Sequence, residues 1–139
     1  MEPVVITISA AVNAPLDRVW NYWNGPEHIV KWNAASDDWH TTKATSDFRV
    51  GGTFSSRMEA KDGSFGFDFA GVYEEIIHNE KLAYSIGDGR KVTITFRYDG
   101  EAVLVTEMFE AEGQNEIELQ RQGWQAILNN FKKYAEENK

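Results

Sequence analysis

Residues 91–98 read KVTITFRY, and this octapeptide decides the fold class. Apolar or aromatic side chains occupy its even-numbered positions, and polar side chains occupy its odd-numbered positions. Successive side chains of a strand point to opposite faces of the sheet, so this alternation is typical of an antiparallel strand with one buried face and one wet face. The octapeptide therefore predicts a sheet that is covered on one side only.

Segments of the same kind lie on both sides of this octapeptide. They are separated by short stretches rich in Gly, Asn and Asp, which favour turns. A further alternating segment lies at the N-terminus. The predicted strands are Val4–Val12, Trp39–Val50, Thr53–Ala60, Phe65–Ile77, Lys81–Ile86, Lys91–Tyr98 and Ala102–Phe109.

Two short helices and one long helix complete the predicted element order. Pro15 and Pro26 begin the short helices after the first strand, because proline suits the first helical position. The long helix lies near the C-terminus, where Asn115 and Glu118 have the spacing of a capping box. Its apolar stripe, within 124–131, indicates that one face packs on the sheet.

Strands that are segregated from helices predict the α+β class. We expect a single domain over residues 1–139. In it, a curved antiparallel sheet of about six to seven strands surrounds the long C-terminal helix, and two short helices follow strand 1. A straight helix follows a twisted sheet over only part of its length. We therefore expect a cavity between the C-terminal helix and the sheet.

The composition excludes several classes of function. The net charge is −8, which disfavours nucleic acid and anionic membranes as partners. The chain has no cysteine, so disulfides and thiolate chemistry are excluded. The N-terminal residues do not resemble a signal peptide, and no apolar run is long enough to span a bilayer. We expect a cytoplasmic protein without a cofactor, and the oligomeric state stays open.

Aromatic residues make up 13% of the chain and include five tryptophans, which points to an aromatic-lined pocket. Arg49, Tyr84 and Gln120 are candidate polar anchors. Gly123, inside the long helix, indicates either close contact with the sheet or room for a ligand. The predicted ligand-binding residues are Trp32, Trp39, Arg49, Phe54, Phe69, Tyr84, Gln120, Trp124 and Leu128.

The sequence predicts neither a metal site nor a catalytic site. His28, His40 and His78 lie in separate predicted elements, and their spacing does not match that of a zinc site. Asp68 has two readings. In the first, it faces inward and pairs with Arg49 or Arg57. In the second, it lies on the wet face of the strand, on the side opposite Phe67 and Phe69. Strand alternation favours the second. Enzyme status is uncertain, and we lean towards a protein that is not an enzyme.

Four segments carry a resemblance to a known family. They are NAPLDRVWNYWNGPEHIVKW (13–32), DFRVGGTF (47–54), FDFAGVYEEIIHNEKLAYS (67–85) and GWQAILNNFKKY (123–134). In this order they resemble the activator-of-heat-shock-protein-90-ATPase-homologue-like family of the START-like (SRPBCC) superfamily. The resemblance implies the helix-grip fold and leaves the function open, because one fold hosts many functions.

Three functions remain as hypotheses. The first is binding of a small hydrophobic molecule in the cavity. The second, implied by the family resemblance, is a co-chaperone-like interaction with heat-shock protein 90. The eukaryotic activators carry an extra N-terminal domain, so we expect this chain alone not to stimulate that ATPase. The third is an enzyme of the polyketide cyclase or hydrolase type that uses the same cavity.

Overall fold

A computed structural model describes residues 4–87 and 89–138. Within these residues one antiparallel sheet has the strand order β1-β7-β6-β5-β4-β3-β2. The α+β helix-grip prediction is confirmed. The elements are β1 (Val5–Val12), α1 (Leu16–Asn24), α2 (Pro26–Trp32), β2 (Trp39–Ser46), β3 (Thr53–Ala60), β4 (Gly66–Ile77), β5 (Lys81–Ile86), β6 (Lys91–Tyr98), β7 (Val103–Glu110) and α3 (Ile117–Glu137).

The alternation seen in the sequence of β6 is also seen in its burial. Val92, Ile94 and Phe96 are buried, whereas Lys91 and Arg97 are exposed. β1 and β7 follow the same pattern, with a buried residue at every second position. The buried side chains form one continuous core between the sheet and the helices. Burial of this apolar face is the main source of stability, at roughly 25 cal/mol per Å² of apolar surface.

β2 is shorter than its sequence predicts. It ends at Ser46 because residues 47–52 fold into a tight turn. In that turn the Arg49 N–H donates to the Asp47 carbonyl and the Gly52 N–H donates to the Arg49 carbonyl, both at 2.8 Å. Gly51 has a φ of 86°, which favours glycine. The predicted extension of the strand to Val50 is therefore wrong.

The long helix α3 runs along the free edge of β1 and donates side-chain hydrogen bonds to it. Alternate carbonyl oxygens of β1 accept these hydrogen bonds, and later acceptors along β1 pair with later donors along α3, so the two elements run in the same direction. The pairs are Arg121 Nη1 with Thr7 O at 3.0 Å, Gln125 Nε2 with Ser9 O at 3.1 Å, and Lys132 Nζ with Ala11 O at 2.8 Å. These contacts hold α3 on the β1 side of the sheet.

Aromatic contacts pack the short helices against α3. The Trp23 ring lies 4.8 Å from the Phe131 ring and 5.0 Å from the Trp32 ring, measured between centroids. His28 Nδ1 and the Tyr134 hydroxyl form a hydrogen bond of 2.7 Å between α2 and α3. The short helices therefore close one end of the space between α3 and the sheet.

The start of α3 differs from the predicted capping box. Glu116 is the N-cap, and its side chain makes no capping hydrogen bond. Instead, the amide of Gln120 fixes the connection from β7. Its Nε2 donates to the carbonyl oxygens of Glu112 (3.1 Å) and Asn115 (2.8 Å), and its Oε1 accepts from the Glu112 N–H (2.9 Å). A buried side chain of the first turns thus replaces the expected cap.

None of the helices formed by residues 4–87 and 89–138 combines the length and the apolar composition that crossing a bilayer requires.

Candidate functional site

A cavity of about 350 Å³ lies between the helices and the β3–β5 side of the sheet, and it opens to solvent. α3 is tied to β1 at the opposite edge, so it leaves β3 and β4 partly uncovered. The volume falls in the range typical of small-molecule sites. The lining residues are Trp23, Asn24, Ile29, Trp32, Asn33, Phe54, Ser56, Met58, Phe67, Phe69, Tyr73, Leu82, Tyr84, Arg90, Glu107, Glu112, Asn115, Gln120, Trp124 and Ile127.

Phe54 is the centre of the aromatic wall on the sheet side. Its ring centroid lies 4.8 Å from that of Tyr84 and 5.1 Å from that of Tyr73. The ring passes directly over Gly71, where an added Cβ would lie 2.8 Å from the Phe54 ring. Only a residue without a side chain allows this approach. Gly71 and Tyr73 both belong to the segment FDFAGVYEEIIHNEKLAYS (67–85), which carries part of the family resemblance.

Trp124 forms the helix side of the same wall. Its ring stacks on Phe109, with centroids 3.9 Å apart and planes 10° apart, and it meets Phe69 edge-on at 6.0 Å. Offset stacking and edge-to-face contacts are favoured arrangements of aromatic pairs. The two contacts fix the ring of Trp124 against the cavity.

Glu107 is a carboxylic acid on the buried face of β7. Its Cα partners on the neighbouring strands are Ile8 and Ile94, both buried. The residue is 4% exposed, and it lines the cavity. Burial raises the pKa of the Glu107 carboxyl from 4.5 to about 8, because the apolar surroundings disfavour the charged form. At neutral pH this carboxyl is therefore mostly protonated and able to donate a hydrogen bond.

The Tyr84 hydroxyl is the second buried polar group of the cavity floor. Burial, together with the nearby Glu107 and Tyr73, raises the pKa of Tyr84 well above its ordinary value. Among residues 4–87 and 89–138, no group forms a hydrogen bond with the Tyr84 hydroxyl or with the Glu107 carboxyl. Neither group is among the fully buried side-chain atoms that lack a partner, so both are accessible from the cavity and available to a ligand.

Three other polar residues of the cavity already form hydrogen bonds within the protein. Both amide hydrogens of Gln120 are donated to backbone carbonyls, as described above. Arg90 Nη1 donates to the Glu110 carbonyl at 3.4 Å, and a Glu112 carboxylate oxygen accepts from the Asn115 N–H at 2.6 Å. Within the described residues, Glu107 and Tyr84 are therefore the titratable lining groups whose terminal oxygens stay unpaired, and the uncharged side chains of Asn33, Ser56 and Asn115 also form no hydrogen bond.

The structure brings most, but not all, of the predicted ligand-binding residues to this cavity. The six that line it are Trp32, Phe54, Phe69, Tyr84, Gln120 and Trp124. Trp39 instead lines a separate, more polar pocket of about 320 Å³, between the segment after α2 and the C-terminal end of α3. Arg49 has a side chain that is 72% exposed and pairs with Asp47, and Leu128 is fully buried in the core.

Asp68 lies on the solvent side of the sheet. Its side chain is 62% exposed and pairs with Arg57 at 3.5 Å. The neighbouring residues Phe67 and Phe69 line the cavity on the other face. Exposed ion pairs of this kind contribute little to stability.

No three His, Asp or Glu side chains of the described ranges lie close enough together to hold a metal ion. His28 stacks on Tyr22 at 4.1 Å, and His78 contacts the Trp20 ring at 5.5 Å. His40 lines the second pocket beside Trp39.

Sequence reasoning missed Glu107, although the sequence carries a signal for it. Val103, Val105 and Phe109 occupy alternate positions and are apolar, and Glu107 falls on the same face. A glutamate that shares the alternate positions of a strand's apolar residues is predicted to be a buried acid.

Comparison with known proteins identifies a matching family. The family model described as Activator of Hsp90 ATPase homolog 1-like protein matches residues 13–136. No curated protein matches the chain.

Solved structures share the fold across nearly the whole chain. An AHSA1-like protein from Aeromonas hydrophila is 42% identical, with a TM-score of 0.91 over 96% of this chain and 93% of that chain. Chr148 from Cytophaga hutchinsonii is 50% identical, with a TM-score of 0.83 over 96% and 92%. The Aha1 dimer from Colwellia psychrerythraea is 13% identical, with a TM-score of 0.77 over 98% of each chain, and this likeness shows the fold alone.

Proposed function

The chain belongs to the Activator of Hsp90 ATPase homolog 1-like family, and from this premise we propose that it binds a small, mainly apolar molecule in the cavity between α3 and the sheet. The observation that carries the proposal is the cavity of about 350 Å³ with its wall of aromatic side chains. A pocket of this size and composition suits a ligand of one to three rings.

The aromatic wall supports this proposal because contacts within the protein hold its rings in place. Trp124 is stacked on Phe109, and Phe54 is packed over Gly71. The Trp32 Nε1–H donates to the Tyr22 carbonyl at 2.9 Å, which fixes that ring as well. A preformed site loses little conformational entropy when a ligand enters, so contact with the rings translates efficiently into affinity.

The test uses a matched pair of serine variants on β3. Ser56 is buried and lines the cavity, whereas its neighbour Ser55 does not. We expect the bicyclic hydrocarbon tetralin to raise the melting temperature of the wild type and to change its tryptophan fluorescence, because binding to the native state alone stabilises it. The Ser56→Phe variant, whose new ring fills the cavity, should lose this response, and the Ser55→Phe variant should keep it.

Two results would contradict the proposal. One is a response to tetralin that Ser56→Phe does not change, which would place the binding elsewhere. The other is the lack of any response to tetralin, together with the lack of a co-purified molecule in native mass spectrometry of the fresh protein.

A co-chaperone-like interaction is the second candidate, and an exposed aromatic cluster favours it. Trp39, Phe65 and Phe67 contact one another beside the β3–β4 turn, with centroid separations of 6.0–6.2 Å. Phe65 is 62% exposed. The cluster would contact heat-shock protein 90. If the chain stimulates the ATPase of its host's heat-shock protein 90, and Phe65→Ser abolishes the stimulation, this candidate replaces the first.

A further inference from the structure

We propose that Glu107 and Tyr84 together form a polar subsite that binds the carbonyl oxygen of a ring-shaped ketone ligand by donating two hydrogen bonds to it. This inference rests on the proposed function, since it specifies which apolar molecules the cavity prefers. The two groups lie in the floor of the cavity, among the aromatic rings that would hold the rest of the ligand.

The first argument is that both groups lack a hydrogen-bond partner within the protein and are accessible from the cavity. Glu107 is 4% exposed and Tyr84 is 8% exposed, and no group in the described part of the chain hydrogen-bonds either terminal oxygen. Neither oxygen is among the fully buried, unpartnered atoms of the described residues, so both can be reached from the cavity. A ligand atom that accepts hydrogen bonds from both groups would supply the missing partner.

The second argument concerns the charge of the ligand. The residues beside Glu107 on the two neighbouring strands are the apolar Ile8 and Ile94. The titratable groups that line the same cavity are Tyr73, Tyr84, Arg90 and Glu112. α1, α2 and α3 contribute only uncharged residues to the lining: Trp23, Asn24, Ile29, Trp32, Gln120, Trp124 and Ile127.

This environment keeps Glu107 and Tyr84 in their neutral, proton-donating forms at neutral pH. Burial raises the pKa of both groups. Two neutral donors match the lone pairs of one carbonyl oxygen. A cationic amine would instead require Glu107 to ionise in an apolar site, with the cation of Arg90 on the same cavity wall.

The third argument is the position of the two residues relative to the rings. Val92 of β6 pairs with both Tyr84 of β5 and Phe109 of β7, and Glu107 is two residues from Phe109 on the same face of β7. Glu107 and Tyr84 therefore lie on the same face of the sheet as Val92 and Phe109, the residue on which Trp124 stacks. A flat ring against Trp124 could direct a carbonyl oxygen at both groups.

The experiment compares three bicyclic probes of nearly equal shape. They are 1-tetralone, a ketone; tetralin, the matching hydrocarbon; and 1-aminotetralin, the matching amine. Affinities are measured by calorimetry or by tryptophan fluorescence. We expect the wild type at about pH 6 to bind 1-tetralone about tenfold more tightly than tetralin, since two neutral hydrogen bonds contribute on the order of 1.4 kcal/mol.

Variants then assign this preference to the two residues. Glu107→Leu should bind tetralin at least as tightly as the wild type does, and its preference for the ketone should fall to about twofold or less. Tyr84→Phe should lose part of the preference. Glu101→Gln is the control, because Glu101 is exposed and outside the lining residues, and it should behave as the wild type does.

The pH dependence separates a hydrogen-bond donor from mere polarity. In the wild type, the affinity for 1-tetralone should weaken as the pH rises from about 6 to about 9.5, because Glu107 loses its proton near a pKa of about 8. In Glu107→Gln the amide still donates but does not titrate, so the affinity for the ketone should stay constant over the same range.

Each outcome supports or overturns the inference. If tetralin binds but the ketone has no advantage, the subsite is wrong while the proposed function stands. If 1-aminotetralin binds the wild type more tightly than 1-tetralone does, and Glu107→Leu removes that advantage, the site selects cations and the inference is overturned. If none of the three probes binds, the inference fails together with the proposed function.

Discussion

The Trp124 ring lies parallel to the Phe109 ring, with 3.9 Å between the centroids and 10° between the planes. One ring belongs to α3 and the other to β7, so the stack joins helix to sheet at the edge of the cavity. It marks the point at which close packing of the helix on the sheet gives way to open space.

Replacement of Trp124 should therefore affect both stability and binding. We expect Trp124→Leu to lower the free energy of unfolding by about 1–3 kcal/mol, because it loses the aromatic pair and part of the buried area. Trp124→Phe keeps a ring against Phe109 and should lose less than about 1 kcal/mol. Urea denaturation of both variants measures the difference, and equal losses would show that the stack itself is unimportant.

Leu128 provides a test of the closed half of the interface. It is fully buried and does not line the cavity. We expect Leu128→Ala to lower the free energy of unfolding by roughly 2–5 kcal/mol, the range for a large-to-small change in a packed core. A loss below about 1 kcal/mol, measured by urea denaturation, would mean that Leu128 already borders open space.

Two glycines should respond in opposite directions to alanine. At Gly123, in the interior of α3, an added Cβ would meet no atom within 4 Å, so Gly123→Ala should raise stability by about 0.5–1 kcal/mol. At Gly71 the same atom would collide with the backbone carbonyl of Ser85 and with the Phe54 ring. Gly71→Ala should therefore be destabilising. Thermal denaturation of the two variants measures these effects. A lower melting temperature for Gly123→Ala than for the wild type would contradict the open space beside Gly123.

Stability should fall as the pH rises through neutrality, because of Glu107. Its pKa is about 8 in the native protein and near 4.5 when the chain is unfolded. Between these values the native state binds more protons than the unfolded state, so the free energy of unfolding decreases with increasing pH. The stabilisation is complete below about pH 4.5 and is lost above about pH 8. At about 1.4 kcal/mol per pKa unit, the loss has an upper limit of roughly 5 kcal/mol.

Glu107→Gln removes this titration and gives the control for it. The free energy of unfolding of this variant should change less with pH than that of the wild type, in a series of urea denaturations from about pH 5 to about pH 9. Glu101→Gln removes a carboxyl at an exposed position and should keep the slope of the wild type. If both variants have that slope, general charge repulsion rather than Glu107 causes the pH dependence.

Local periodicity was enough to predict the fold. The alternation in KVTITFRY and the stripe of α3 each depend on residues that are close in sequence, and their physical meaning is the same in any context. The end of β2 was missed because the turn over residues 47–52 forms through backbone hydrogen bonds, which the side-chain pattern does not encode.

The residues that line the cavity were harder to predict, because they depend on where α3 lies across the sheet. That position is set by contacts such as Arg121 with Thr7, which are 114 residues apart in the chain. The sequence indicates that Trp39 and Trp124 belong near the interface. It does not indicate that Trp39, at the start of the edge strand β2, lies in a different pocket from Trp124.

Of the two interpretations of Gly123, close contact with the sheet is wrong and room beside the helix agrees with the structure, for a related reason. The helix is rotated so that this residue has open space beside it. A single glycine in a helix shows that a side chain is absent, and the rotation of the helix decides what lies next to it.

The hydrogen bonds from α3 to the carbonyl oxygens of β1 have a consequence for self-association. A sheet with two open edges can grow without limit by adding strands from other copies. Here Arg121, Gln125 and Lys132 donate to the outward carbonyl groups of Thr7, Ser9 and Ala11, so these three acceptors are already engaged and the helix covers this edge. The other edge strand of the sheet is β2. Two molecules that join edge to edge through β2 would leave only their helix-covered β1 edges outside, which favours a closed pair over a growing fibre.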